Sequence, residues 1–295
     1  VREGCTRPPR PAGGGRPDPR AGRARPGRGR NYAAGVSDLK LSAGDVTVGI
    51  APDNGARVSS LVIGGTELLR QGPRYGCFPM VPWCGRIAQG RFRNGGTQHQ
   101  MPLNSGPHAI HGTGRDTAWR VRHADETSAT LTYELGDPWP YAGLVTQTFR
   151  LSEGALELTL GVETRSDSFP AQVGWHPWFL RNLGGEDASL AFAPAFQLER
   201  GEDHLPTGRR IEARPGPWDD CFGMPDGVEA TLTWPGQLAL TVSSPARWVV
   251  VYDEQAEAVC VEAQSGPPNG LNSEPELVTR LEPVELAATW SWERL

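Results

Sequence analysis

Asp45-Val46-Thr47-Val48-Gly49-Ile50 alternates apolar and polar side chains, turns at Asp53-Asn54-Gly55, and resumes through Val58 to Ile63. A period of two puts successive side chains on opposite faces of an extended chain, so this stretch reads as a hairpin with one face turned to a core. The pattern continues. Ser128–Leu135 alternates, and Leu144–Leu151 and Ala155–Val162 flank the turn residues Ser152-Glu153-Gly154. Val228–Trp234 and Gln237–Ser243 flank Pro235-Gly236, Trp248–Asp253 and Ala258–Gln264 form a third hairpin, and Ala287–Trp292 closes the series. No amphipathic stretch of ten or more residues has helical spacing. Many short strands separated by Gly/Pro turns, with no strand–helix–strand alternation, predict an all-β fold, a large sandwich or barrel.

The 295 residues divide unevenly in charge. Residues 1–30 hold nine Arg against Glu3 and Asp18, giving about +7 in a chain whose formal net charge is −5. Twenty-two of these thirty are Arg, Gly or Pro, a composition with almost nothing to bury. We therefore expect a disordered Arg/Gly/Pro-rich leader over 1–35, or an over-extended start, followed by one domain over 36–295. Lys40 is the sole lysine, so arginine abundance is a bias of the whole chain and not a nucleic-acid signature. No apolar run reaches the ~20 residues of a membrane span, and the basic N-terminus lacks a secretory apolar core. Cys5, Cys77, Cys84, Cys221 and Cys260 are odd in number and form no C-x-x-C pair. Neither a zinc site nor a disulfide framework is indicated, and a reduced, cytoplasmic chain, monomer or homodimer, is expected.

Three distant stretches carry candidate chemistry: His108-Ala109-Ile110-His111-Gly112, Gly174-Trp175-His176-Pro177-Trp178-Phe179 and Cys260-Val261-Glu262-Ala263-Gln264. Imidazole and carboxylate are the minimal pair for moving protons at neutral pH. His176 sits among aromatic residues that would disfavour its charged form and offer flat faces to a sugar ring, Trp175 being the candidate platform. Read alone, it is equally a packed core histidine. Glu262 ends an apolar strand just before Ser265-Gly266-Pro267-Pro268, where sites are often built, though an outward-facing strand carboxylate has the same signature. His108 and His111 make an H-x-x-H, half a metal site in principle, but residues three apart on a strand face opposite ways. Asp219 and Asp220 are either solvated acids or acceptors of sugar hydroxyls, and Arg86 is a candidate hydroxyl donor or a surface charge.

Taken in order, these stretches resemble the aldose 1-epimerase, galactose mutarotase-like family. Matching segments are Pro52–Ala56, Pro82–Ile87, His108–Trp119, Gly174–Phe179, Leu205–Gly208, Trp218–Phe222 and Cys260–Asn269, nearly everything after residue 40. The resemblance implies a large antiparallel β-sandwich that interconverts the α and β anomers of a hexose without metal or organic cofactor. It also implies roles: Glu262 as general base, His176 as general acid, His111 as the second active-site histidine, Arg86 and Asp219 as sugar ligands. His111-Gly112-Thr113-Gly114 departs from the further glycine of human-type members and is more similar to a broader bacterial branch. Hexose-6-phosphate epimerases need basic residues, for which Arg74, Arg86, Arg91 and Arg115 are available. Other readings are a non-catalytic sugar-binding protein on the same fold, a glycoside hydrolase using Asp219 and Glu262, and a cupin-like metal enzyme using His108, His111, His176 and Glu262.

Overall fold

The computed structural model describes residues 38–295; the expected leader over 1–35 lies outside the described residues. Two large antiparallel sheets carry the chain. The first orders its strands 39–43, 46–51, 57–63, 77–80, 174–177, 258–264, 248–252, 219–223, 196–200 and 206–211. The second runs 120–124, 128–135, 143–151, 155–164, 284–294, 238–244, 228–234 and 189–192. The expected hairpins are present, with Gly143–Leu151 paired to Ala155–Thr164, Val228–Trp234 to Leu238–Ser244, and Trp248–Tyr252 to Ala258–Gln264.

Alternation explains the layering. In Ser128–Leu135 every second residue is buried, and Gly143–Leu151 repeats the pattern. The inward residues of both sheets, among them Leu131, Phe149, Leu160, Val249, Val261 and Trp290, form one continuous core. A sheet with a single buried face is the usual antiparallel case. Ala258–Gln264 breaks the rule, being buried at all seven positions. One of its faces meets the core and the other is roofed by loops, and it is on that roofed face that Glu262 lies. Among the described residues the longest α-helix, Gly270–Ser273, has four residues, and no helix is long and apolar enough to cross a membrane.

Candidate active site

A cavity of about 470 Å³ opens on the outer face of the first sheet, within the range of small-molecule sites. Its floor follows from strand register. Phe78 pairs with His176, and Gly174 pairs with Gln264, so continuing that antiparallel register sets His176 opposite Glu262; Glu262 pairs with Val250, and Val250 with Cys221. Phe78, His176, Glu262, Val250 and Cys221 all line the cavity. Two residues far apart in sequence thus meet, His176 Nε2 standing 3.1 Å from Glu262 Oε1.

Both members are almost completely buried, at 6% and 2% exposure. Desolvation raises the Glu262 carboxyl well above the usual range, reinforced by the charge of Asp219 and opposed by the hydrogen bond from Gln264 Nε2 to Oε2 at 3.0 Å. Burial, with the nearby Arg115 cation, lowers His176 to about 3. The shifts point the same way: a dry site disfavours charge on either group, so the pair is most stable as a neutral unit. A proton is then held close to two exchange-competent atoms, and small changes in local charge move it. His111 stands edge-on to His176, ring centroids 5.0 Å apart, and burial followed by the His176 and Arg115 charges lowers its pKa well below the usual value. His176 Nδ1, His111 Nδ1 and Gln264 Oε1 are buried without a hydrogen-bond partner, an uncommon concentration of unsatisfied polar atoms in residues lining one cavity.

The loop that delivers His111 is tightly set. His111 has φ of 64° and its amide donates to Gly85 O at 3.0 Å, while Gly112 follows at φ of 70° against the Val81 backbone. A Cβ at Gly112 would lie 2.0 Å from the Val81 carbonyl oxygen, so only glycine fits. Arg86 lines the cavity beside this loop, paired with Ile110; its carbonyl accepts from the Asn269 amide, and Asn269 Oδ1 accepts from the Ala88 amide, tying the Arg86 loop to the segment that follows Glu262. Asp219 also faces the cavity, held by Arg200 Nη1 at 2.9 Å, with His204 Nδ1 at 3.4 Å.

Of the sequence candidates, Glu262, His176, His111, Arg86 and Asp219 converge on this cavity, and Trp175 does not. It adjoins His176 on a strand, so it projects to the opposite face, into the core between the sheets. Trp178 provides the aromatic wall instead, stacked on His176 at 5.1 Å with planes 12° apart. His108 also turns away: its Nδ1 accepts from the Gln89 amide and its Nε2 contacts Asp203 O at 3.1 Å, which takes it out of the four-residue cupin-like set. Sequence reasoning missed Gln264, whose spacing of two from Glu262 was the available signal, and Arg57, for which there was none. Arg57 is a buried cation behind the cavity wall. Its Nε donates to Asn54 O, Nη1 to Tyr75 O and Nη2 to Arg115 O, joining three segments, two of which present cavity-lining side chains.

This architecture and its roofed cavity place the chain among the galactose mutarotase-like β-sandwiches. It belongs to the aldose 1-epimerase family, whose sequence model matches residues 38–285. The Escherichia coli protein YihR is 32% identical over 225 residues, covering 66% of this chain and 71% of that protein. A galactose mutarotase-like protein of Clostridium acetobutylicum superposes with a TM-score of 0.79 at 17% identity, covering 88% of this chain and 95% of that one. Galactose 1-epimerase of Lactobacillus acidophilus gives 0.73 at 19%, covering 87% and 94%. At such identities the structural likeness speaks to the fold.

Proposed function

We propose that this protein is an aldose 1-epimerase that opens and recloses the ring of a hexose. The observation that carries the reading is the buried contact of 3.1 Å between His176 and Glu262 on the cavity floor. With the pair's single proton on His176, the Glu262 carboxylate takes the proton of the anomeric hydroxyl while His176 protonates the ring oxygen, and the C1–O5 bond breaks to give the open aldehyde. Rotation about C1–C2 and reversal of the steps yields the other anomer. Simultaneous transfer at the two oxygens avoids a free alkoxide or oxocarbenium ion. His111 and Arg86 donate hydrogen bonds that hold the sugar, Asp219 accepts from a hydroxyl, and Trp178 supports an apolar face of the ring.

A pure binding protein has no need of a mutually bonded acid and base, which favours catalysis over the sugar-sensing alternative. A glycosidase reading with Asp219 and Glu262 is weakened because Asp219 is engaged by Arg200 whereas Glu262 pairs with an imidazole. A phosphorylated hexose is supported as a second substrate reading by Arg74, Arg86 and Arg115, three of the four arginines expected for it, which line the cavity; Arg91 does not. The test is anomer exchange followed by NMR on fresh α-D-glucose, α-D-galactose and their 6-phosphates. Acceleration that Glu262→Gln lowers by about 10²-fold or more, with sugar binding retained, is the expected result. Full activity in Glu262→Gln refutes the base assignment.

A further inference from the structure

Cys77, Cys84, Cys221 and Cys260 are dispersed in sequence, yet all four are buried, and each lies near enough to feel the charge of Glu262. One of them, Cys260, belongs to a compact group of donors. A ring nitrogen of His176, Sγ of Cys260 and a carboxylate oxygen of Glu262 lie within 4.8 Å of one another. Strand geometry produces the grouping: Cys260 and Glu262 are two residues apart and share a face, and His176 stands beside them on the neighbouring strand.

This donor set has a chemical preference. Thiolate with imidazole suits soft and borderline divalent ions, and a hard ion such as magnesium favours oxygen alone. Tetrahedral bonds of about 2.0 Å to nitrogen and oxygen and about 2.3 Å to sulfur set donor atoms about 3.3–3.7 Å apart. The His176–Glu262 separation of 3.1 Å is already close to that. Cys260 has to draw in by about 1 Å. A thiolate and a carboxylate together balance the charge of a divalent ion, which matters where every member is buried. The fourth position faces the cavity, because His176 and Glu262 both line it.

We propose that His176, Cys260 and Glu262 form a binding site for a thiophilic divalent cation of the zinc class, and that its occupation blocks the cavity. On binding, the thiol and carboxyl protons leave to solvent, the imidazole coordinates in its neutral form, and no electron is transferred. The ion then holds both groups that carry protons in the reaction, so occupation inhibits; that part rests on the epimerase reading.

The test uses the full chain and cadmium ion as probe. The expected result is a thiolate-to-cadmium ultraviolet charge-transfer band that saturates at one equivalent. Cys260→Ser, which leaves the other four thiols in place, should lose the band, Cys221→Ser should keep it, and His176→Asn should weaken binding at least tenfold. No band at one equivalent, or an unchanged band in folded Cys260→Ser, overturns the site. Should Cys260→Ser fail to fold, the His176→Asn titration decides: unchanged affinity there overturns the proposal equally. Stoichiometric cadmium should slow anomer exchange more than tenfold, reversibly with chelator. A chain that binds cadmium in this way but accelerates no exchange refutes the epimerase reading and leaves the metal site standing.

Discussion

Replacing Arg57 by Met removes the link between three segments while keeping most of the apolar stem. Arg57 is 3% exposed, and its guanidinium donates at 2.8, 3.1 and 3.0 Å to the carbonyls of Asn54, Tyr75 and Arg115. A fully buried carbonyl left without a partner costs about 1–3 kcal/mol, so three cost about 3–9 kcal/mol at most, and these part-buried oxygens cost less where water reaches them. Against this, a buried cation no longer has to be desolvated, the effect that also lowers the Arg57 pKa, and that offset is several kcal/mol. The expected net loss is about 2–4 kcal/mol. At roughly 2–4 °C per kcal/mol for a domain of this size, the melting temperature should fall by about 4–16 °C. Urea unfolding at constant m-value gives the free energy and calorimetry gives the temperature. Arg57→Lys is the informative control, since it keeps the charge but cannot fork to three carbonyls, and it should fall between wild type and Met. A loss below about 0.5 kcal/mol in the Met variant, or a Lys variant as stable as wild type, would refute the idea that the fork holds these segments together.

Trp175→Ala should destabilise by about 3–5 kcal/mol through a core cavity, whereas Trp178→Ala should unfold near the wild-type midpoint but bind sugar more weakly; equal effects of the two on both assays would contradict the face assignment. Gly112→Ala forces a methyl into the Val81 carbonyl and an L side chain to φ of 70°; a drop in soluble yield and a melting temperature lowered by more than 5 °C are expected, roughly what 2–3 kcal/mol of strain produces. Asp125 accepts from the Thr127 and Ser128 amides, the Ser128 hydroxyl and His123, which together hold its carboxyl far below the ordinary range. A depressed carboxyl stabilises above the unfolded-state pKa and loses that contribution as pH falls towards the folded one. Asp125→Asn should therefore lower stability at pH 7 and reduce the further loss on acidification below pH 4, seen as converging melting curves; parallel curves would count against it.

Much of the fold was legible because antiparallel strands write themselves into sequence as alternation. The hairpin at Ser152-Glu153-Gly154 and that at Pro235-Gly236 are local, and each strand exposes one face to water, so polar and apolar positions separate cleanly. The candidate site was legible for a different reason: Glu262, His176, His111, Arg86 and Asp219, which line one cavity, lie in stretches whose order resembles a known family. Composition and spacing alone left each of them ambiguous. Trp175 shows the limit. Gly174–Pro177 is buried at every position, so there is no polar side to reveal which face looks at the cavity. Trp175 and Trp178 were indistinguishable until the register with Cys77–Met80 set the parity.

Arg57 and Cys260 mark the same boundary. The sequence by itself determined the strand periods, the turns and the glycines that permit positive φ, since those are properties of a residue and its immediate neighbours. Tertiary structure decided that Arg57 would serve carbonyls up to 58 residues away, and that Cys260 would stand within 4.8 Å of both His176 and Glu262. It also decided that Glu262 and His176, separated by 86 positions, would meet at 3.1 Å. Hydrogen bonds and desolvation act over a few ångströms in space. Distance along the chain does not encode them, and only the pairing of the sheet brings such groups within that range.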